Sequence, residues 1–230
     1  MSTPLRNKLP YCYSRPHPAV STDIVLFTAR DNRLEVLLYQ RQSEPFKGRW
    51  ALPGGMIDIS EDLDRAASAQ LRDQAGISGV YLEQLYTFGA LHRDPRERVI
   101  TVAYFALVPN TIASSITTDL TRPLRWLALT KLPTLAFDHA HIVDTARKRL
   151  TAKARYSTIA CQLLPSEFTL SELQHTYEIL LGEALDKRNF RKWVSSLDFV
   201  IATENMRRNG QHRPARLYRA AEPTRVVFLR

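Results

Sequence analysis

The sequence predicts an α+β protein in two parts: a mixed β-sheet with one central helix, followed by a helical region that ends in a winged helix-turn-helix. Three observations lead to this prediction. Apolar, β-branched runs alternate with turn residues over residues 18–136. Helical periodicity replaces them from residue 138 onward. Basic residues concentrate in 187–219, where nine lysines and arginines are opposed by only two acidic residues.

The first part is predicted to contain two pairs of strands. The runs AVSTDIVLFTA and LEVLLYQR, separated by RDNR, form the first pair, and YLEQLYTFGAL and RVITVAYFALVP form the second. A helix between the pairs carries apolar residues at helical spacing, namely Leu63, Ala66, Ala67 and Leu71. We expect Asp58 or Ser60 to cap the start of this helix and Gly76 to end it in the left-handed conformation.

The second part is predicted to begin with a connecting helix over residues 138–156. The next helix begins at a capping box formed by Thr169 and Glu172 and ends at Gly182. After a short turn, the stretch DKRNFRKWVSSL has an apolar stripe at helical spacing, made of Phe190, Trp193, Val194 and Leu197. The runs DFVIAT and ARLYRA are then predicted to pair as a hairpin around the loop ENMRRNGQHRP.

This order of elements is typical of a winged helix-turn-helix, whose second helix lies in the DNA major groove. The residues of that helix outside the apolar stripe are the predicted DNA contacts: Lys187, Arg188, Asn189, Arg191 and Lys192. Asparagine pairs with adenine, and arginine binds guanine with two hydrogen bonds. The hairpin is predicted to add phosphate or minor-groove contacts through Arg207, Arg208, Arg213 and Arg216. A helical bundle with a solvated basic face and a protein-interaction module are the alternatives.

Composition limits the class of protein. The chain has 230 residues, a net charge of +9, and 44% hydrophobic and 24% charged residues, as expected for a globular protein. It has no apolar run of the roughly 18 to 20 residues that a membrane span needs, and its N-terminus lacks the apolar core of a signal peptide. Cys12 and Cys161 have no paired spacing, which argues against a disulfide framework or a zinc site. We therefore expect a cytoplasmic protein with no membrane partner.

Residues 50–77, WALPGGMIDISEDLDRAASAQLRDQAGI, resemble the Nudix box, whose pattern is G-x5-E-x7-R-E-U-x-E-E-x-G-U, with U an aliphatic residue. The matching positions are Gly55, Glu61, Leu71, Gly76 and Ile77. The resemblance implies the αβα sandwich of the Nudix fold over roughly residues 18–136.

The catalytic positions of the box depart from the family pattern. Ala69 and Gln70 stand where the family has Arg-Glu, and Asp73 and Gln74 stand where it has Glu-Glu. Nudix enzymes use those glutamates to hold Mg²⁺, a cation that requires charged oxygen ligands. We therefore predict no catalytic residue, no metal site and no required cofactor.

The segment TFGALHRDPRERVITVAYFAL resembles Nudix ADP-ribose pyrophosphatases, in which an RDPR-type loop precedes the long strand. This resemblance implies that nearby arginines neutralise a diphosphate and that an aromatic ring stacks on a base. The predicted effector-binding residues are Arg49, Gly54, Gly55, Glu61, Phe88, Arg93, Arg96 and Arg98. For each arginine the alternative is an ordinary surface role, and for Phe88 it is core packing.

A degenerate Nudix domain joined to a winged helix resembles the NrtR family, the Nudix-related transcriptional regulators of NAD metabolism. The stretches FTLSELQHTYEILLGEALDKRNFRKWVSSL and RPARLYR carry the resemblance in the C-terminal part. It implies a Nudix-like effector-sensing domain at 1–137, a connecting helix at 138–156 and a winged helix DNA-binding domain at 157–230.

What the NrtR resemblance implies is a bacterial repressor of NAD synthesis or salvage genes. Such a protein binds palindromic double-stranded operator DNA as a homodimer and releases it when ADP-ribose or a related nucleotide binds. Two alternatives stay open: a Nudix hydrolase with residual ADP-ribose pyrophosphatase activity, and a regulator of the same architecture that senses a sugar.

Overall fold

A computed structural model describes residues 13–116, 123–208 and 214–229. Its larger part is a seven-stranded mixed sheet. The strands are β1 (Ala19–Arg30), β2 (Arg33–Gln40), β3 (Trp50–Ala51), β4 (Gly54–Met56), β5 (Tyr81–Phe88), β6 (Val99–Leu107) and β7 (Leu124–Ala128). The strand order is β3-β2-β1-β6-β5, with β4 paired to β1 and β7 paired to β2. Strands β1 and β6 run parallel, and the other pairs are antiparallel.

Helices cover both faces of this sheet. Because successive side chains of a strand point to opposite faces, Ile24 and Leu26 of β1 pack with Leu71 of helix α1 (Leu63–Ala75). Val25 and Phe27 point the other way and pack with Ile142 of helix α3 (His139–Ala154). A one-turn helix, α2 (Asn110–Ala113), lies between β6 and β7. The αβα sandwich expected from the sequence is confirmed.

The start of α1 differs from the prediction, whereas its end agrees. The N-cap is Asp62, which makes no side-chain capping bond. The Asp58 carboxylate instead accepts the backbone N–H of Ser60 at 2.9 Å, which forms a local turn before the helix. The prediction that Asp58 or Ser60 caps α1 is therefore wrong. Gly76 ends the helix in the left-handed conformation, with φ at 68°.

The second part has the predicted order of elements. A 3-10 helix (Thr158–Leu163) leads to α4 (Leu170–Leu181), α5 (Lys187–Ser196), β8 (Val200–Arg207) and β9 (Ala215–Ala220). Both bonds of the capping box between Thr169 and Glu172 are present at the start of α4, and Gly182 ends that helix with φ at 72°. Strands β8 and β9 pair antiparallel as the wing. The winged helix-turn-helix expected from the sequence is confirmed.

Helix α3 packs against both parts of the protein. One continuous apolar cluster contains Val25 of the sheet, Ile142 of α3 and Leu173 of α4. The Thr151 hydroxyl of α3 also donates to the carbonyl of Leu180, at 2.9 Å. Within the described residues, no helix combines the length and apolar character that a membrane crossing requires.

Candidate DNA-binding surface and effector pocket

Helix α5 is anchored on one face by aromatic packing. Its N-cap Asp186 accepts the backbone N–H of Asn189 at 2.8 Å. Phe190 is buried, and the Trp193 ring lies 5.5 Å from it and 5.3 Å from Tyr177 of α4, centroid to centroid. This packing fixes which side of α5 faces solvent.

The outward side of α5 is basic. All five predicted DNA contacts of this helix are exposed: Lys187, Arg188, Asn189, Arg191 and Lys192. Across residues 13–116, 123–208 and 214–229, no carboxylate forms an ion pair with the four cations of this group. Their charge is therefore available to an anionic partner such as a phosphate backbone.

The wing residues fall into two kinds. Arg208 and Arg216 are exposed, and Arg213 lies outside the described residues. Arg207 is half-buried: its Nη1 is 2.7 Å from Oε1 of Glu172, and its Nη2 donates to the carbonyl of Glu167 at 3.0 Å. The other oxygen of Glu172 accepts the N–H of Thr169 at 2.7 Å in the capping box. Arg207 therefore ties the wing to the start of α4, a contact that the sequence did not predict.

A cavity of about 250 Å³ opens between the strand ends of the sheet and the start of α3. It is lined by Ser21, Asp23, Tyr39, Arg41, Ser43, Leu52, Gly54, Gly55, Met56, Arg93, Asp94, Arg96, Val99, Phe137 and His139. Four of the eight predicted effector-binding residues are among them: Gly54, Gly55, Arg93 and Arg96.

The other four lie elsewhere. Phe88 is buried on the α3 face of the sheet, with its ring 5.4 Å from that of His141, so it packs in the core and does not face the cavity. Arg98 donates to the carbonyls of Gly89 and Ala90, both at 2.9 Å. Arg49 lies over the Phe46 ring at 5.3 Å. Glu61 is exposed in the turn before α1.

Arg93 is part of a buried ionic cluster at the base of the cavity. Its guanidinium binds Asp138 with two hydrogen bonds, at 2.7 and 3.0 Å, and Asp23 with one at 3.0 Å. His139 accepts the N–H of Leu52 at Nδ1 and directs Nε2 toward Asp23, at 3.4 Å. Burial raises the pKa of Asp23, but His139 and Arg93 outweigh it and bring the pKa to about 2. Because Arg93 already neutralises two carboxylates, it is a poor candidate for the predicted diphosphate contact.

Arg41 is an arginine of the cavity that was not among the residues predicted from the sequence. It is only 9% exposed, and its guanidinium carbon lies 4.8 Å from the centroid of the Phe137 ring. Arg96 approaches the same ring at 5.8 Å. Tyr39 lies near the end of β2 and Arg41 just beyond it, and Nη1 of Arg41 donates to the Tyr39 hydroxyl at 3.3 Å, so the two side chains lie on the same side. Their spacing of two residues was the available sequence signal.

The two glutamines of the Nudix box contact the glycine loop. Gln74 accepts the N–H of Gly54 at 3.2 Å and donates to the carbonyl of the same residue at 2.8 Å. Its amide also donates to the side chain of Gln70. Gly54 is required by close approach, since a Cβ there would lie 2.2 Å from the carbonyl oxygen of Thr22. Neither glutamine lines the cavity.

Two known protein families match separate parts of the chain. The NUDIX domain family matches residues 17–146, and the NrtR DNA-binding winged helix domain family matches residues 160–220. The ADPR responsive transcriptional repressor of Acinetobacter baylyi is 39% identical over 210 residues, which is 90% of this chain and 83% of that protein. The ADP-ribose pyrophosphatase of Methanocaldococcus jannaschii is 31% identical over 128 residues, 55% of this chain and 72% of that protein.

Solved structures give a similar result. NrtR of Shewanella oneidensis complexed with a 27mer DNA superimposes with a TM-score of 0.78 at 39% identity, covering 89% of this chain and 94% of that chain. The NUDIX domain of the same protein complexed with ADP ribose gives a TM-score of 0.51 at 36% identity, covering 59% and 90%.

Proposed function

This chain belongs to the NrtR family, and from that premise we propose that it is a transcriptional repressor that binds operator DNA and releases it when ADP-ribose binds. The observation that carries the proposal is the exposed basic side of α5, on the helix that this fold places in the major groove. The similar protein of Shewanella oneidensis was crystallised with DNA, and its NUDIX domain with ADP ribose.

The repressor is proposed to act as a homodimer on a palindromic operator upstream of genes for NAD synthesis or salvage. A two-fold dimer presents two recognition helices to half-sites about one duplex turn apart. A small change in the separation or angle of the two α5 helices then misaligns them with the DNA.

The effector is proposed to act through the first turn of α3. Phe137 and His139 line the cavity, and α3 begins at His139. Asp138, between them, is bound by Arg93. The other end of α3 packs against α4. A ligand releases DNA only if it binds the DNA-incompetent arrangement more tightly. The same coupling factor must then reduce ADP-ribose affinity when DNA is bound.

We further propose that the protein does not hydrolyse ADP-ribose. The Nudix fold implies Mg²⁺, but Gln70 and Gln74 supply neutral amides at two glutamate positions, and Gln74 is engaged with Gly54. Two positions of the box remain acidic, Glu61 and Asp73; both are exposed, and Asp73 pairs with Arg72 at 2.9 Å. This donor set does not fit a cation that needs charged oxygen ligands in octahedral geometry.

The second candidate function is ADP-ribose pyrophosphatase activity, which the similarity to the Methanocaldococcus jannaschii enzyme favours. Incubation of the full chain with ADP-ribose and Mg²⁺ or Mn²⁺, followed by measurement of AMP, separates the two functions. We expect no AMP above the protein-free control. Turnover on the order of one per second, a typical enzymatic rate, contradicts the pure repressor.

DNA binding is tested with a duplex selected from genomic fragments by the immobilised protein. We expect fluorescence anisotropy to show binding that weakens steeply with salt and is reversed by ADP-ribose but not by AMP. The double variant Arg188→Ala, Arg191→Ala should bind at least tenfold more weakly. The matched control Arg147→Ala, Lys148→Ala removes two exposed basic residues of α3 and should retain wild-type affinity. Equal affinity of both double variants contradicts the assignment of α5.

A further inference from the structure

Arg41 holds a buried positive charge in the effector cavity. The loop that follows β2 folds around it: the Arg41 N–H donates to the carbonyl of Arg49 at 2.9 Å, and the Gly48 N–H donates to the carbonyl of Arg41 at 2.8 Å. The guanidinium donates from Nε to the carbonyl of Pro45 at 2.7 Å, from Nη1 to the hydroxyl of Tyr39 at 3.3 Å and from Nη2 to the carbonyl of Ser43 at 3.5 Å. These partners are neutral.

The other arginines of the cavity differ from Arg41 in having carboxylate partners. Arg93 is paired with Asp23 and Asp138, and Arg96 is paired with Asp94 at 2.7 Å. Within the part of the chain that the structure describes, no carboxylate forms an ion pair with Arg41. Burying a charge without a counter-ion is costly. The π face of Phe137 and the neutral acceptors compensate only part of that cost.

We propose that Arg41 is the diphosphate receptor of the effector pocket. The guanidinium is fixed by Pro45 and by the ring of Phe137, so it is ordered before a ligand arrives. Nη1 and Nη2 each donate one of their two N–H groups to the described residues. The second N–H of each matches a phosphate oxygen, and the ligand supplies the missing negative charge. The inference deepens the proposed function, on which it rests for the identity of the ligand as ADP-ribose.

Phe137 gives this receptor a direct connection to α3. The ring lies under the Arg41 guanidinium, while the backbone of Phe137 is in the left-handed region with φ at 51° and is followed at once by the N-cap Asp138. A residue other than glycine is rarely held in this backbone conformation without tertiary contacts. Phosphate bound at Arg41 therefore acts on the residue that sets the entry of the chain into α3.

Calorimetry of the full chain with four ligands tests the inference: ADP-ribose, AMP, inorganic pyrophosphate and adenosine. We compare Arg41→Gln with the wild type, and with Arg125→Gln as the matched control. Arg125 also lies over an aromatic ring, that of Trp50 at 5.6 Å, but it does not line the cavity. Loss of a charge-assisted contact should weaken ADP-ribose binding by about ten- to a hundredfold. Arg125→Gln should match the wild type, and adenosine binding should be the same in all three proteins.

Arg41→Lys provides a second test if the glutamine variant does not fold. It keeps the charge but loses the planar pair of donors, so we expect about tenfold weaker ADP-ribose binding. Wild-type ADP-ribose affinity in the folded Arg41 variants overturns the inference and leaves the proposed function standing. If the wild type binds pyrophosphate through Arg41 but does not bind ADP-ribose, Arg41 remains a diphosphate receptor and ADP-ribose is not the effector. A wild type that binds neither ligand overturns both.

Discussion

Replacing Arg207 by glutamine tests whether this residue positions the wing or contacts DNA directly. Its guanidinium pairs with Glu172 at 2.7 Å and with the carbonyl of Glu167 at 3.0 Å. The matching change, Glu172→Gln, removes the charge on the other side of the pair, while the amide oxygen still accepts the N–H of Thr169 in the capping box. If Arg207 acts by positioning the wing, the two variants should have the same effect.

The expected magnitude follows from exposure. The two side chains are 34% and 40% exposed, so solvent screening limits the ion pair to about 0.5 kcal/mol. We expect each variant to lower the thermal midpoint by about 1 to 2 °C and to weaken DNA binding about twofold. The double variant should lose no more than either single variant, which corresponds to a coupling of about 0.5 kcal/mol in a double-mutant cycle.

The assay is fluorescence anisotropy with the selected operator duplex at several salt concentrations. A positioning residue leaves the slope of log affinity against log salt unchanged, whereas loss of a phosphate contact reduces it by about 0.9. Arg216→Gln is the control: it is exposed on the wing, and its removal should reduce the slope without changing the thermal midpoint. The positioning role is refuted if Arg207→Gln alone reduces the slope and Glu172→Gln tightens binding.

Three further predictions concern the sheet domain. Gln74→Glu removes the amide that donates to the Gly54 carbonyl and should lower the free energy of unfolding by about 2 kcal/mol at pH 7. In urea unfolding this loss should shrink below about pH 4, where the introduced carboxyl group is protonated and donates again. A loss that does not change with pH would contradict the amide contact. Asp23 has a folded pKa of about 2, below its ordinary value, so it contributes stability above about pH 4 that is lost as the pH falls toward 2. In Asp23→Asn, the free energy of unfolding should therefore fall by about 2 kcal/mol less than in the wild type as the pH is lowered from 4 to 2. If the two proteins lose stability in parallel over this range, the Asp23 carboxylate is not the cause. Gly54→Ala places a Cβ 2.2 Å from the Thr22 carbonyl oxygen and should lower the free energy of unfolding by about 1 to 3 kcal/mol in a thermal scan. In the control Gly89→Ala the new Cβ meets its nearest atom at 3.8 Å, so its thermal midpoint should be close to that of the wild type. Equal midpoints for the two variants would contradict the close approach at Gly54.

Local interactions explain why much of the architecture could be predicted. The capping box of Thr169 and Glu172 involves residues three apart, and the left-handed ends at Gly76 and Gly182 depend on a single residue each. The long strands were predicted because apolar, β-branched runs lie between turn residues. The exposed basic side of α5 follows in the same way from helical spacing around Phe190. The start of α1 was mispredicted because Asp58 makes a closer turn of its own with Ser60.

The sequence by itself determined the two kinds of domain, the basic side of α5 and the glycine loop of the Nudix box, since each depends on spacing within one element. Only the tertiary structure decided which arginines of the cavity are available to a ligand. Arg93 is neutralised by Asp138 and Asp23, which are 45 and 70 residues away in the chain. Arg41 lies against the ring of Phe137, and no carboxylate within residues 13–116, 123–208 and 214–229 forms an ion pair with it. Whether a charge is free depends on which distant residues fold beside it, and that is a property of the packed chain.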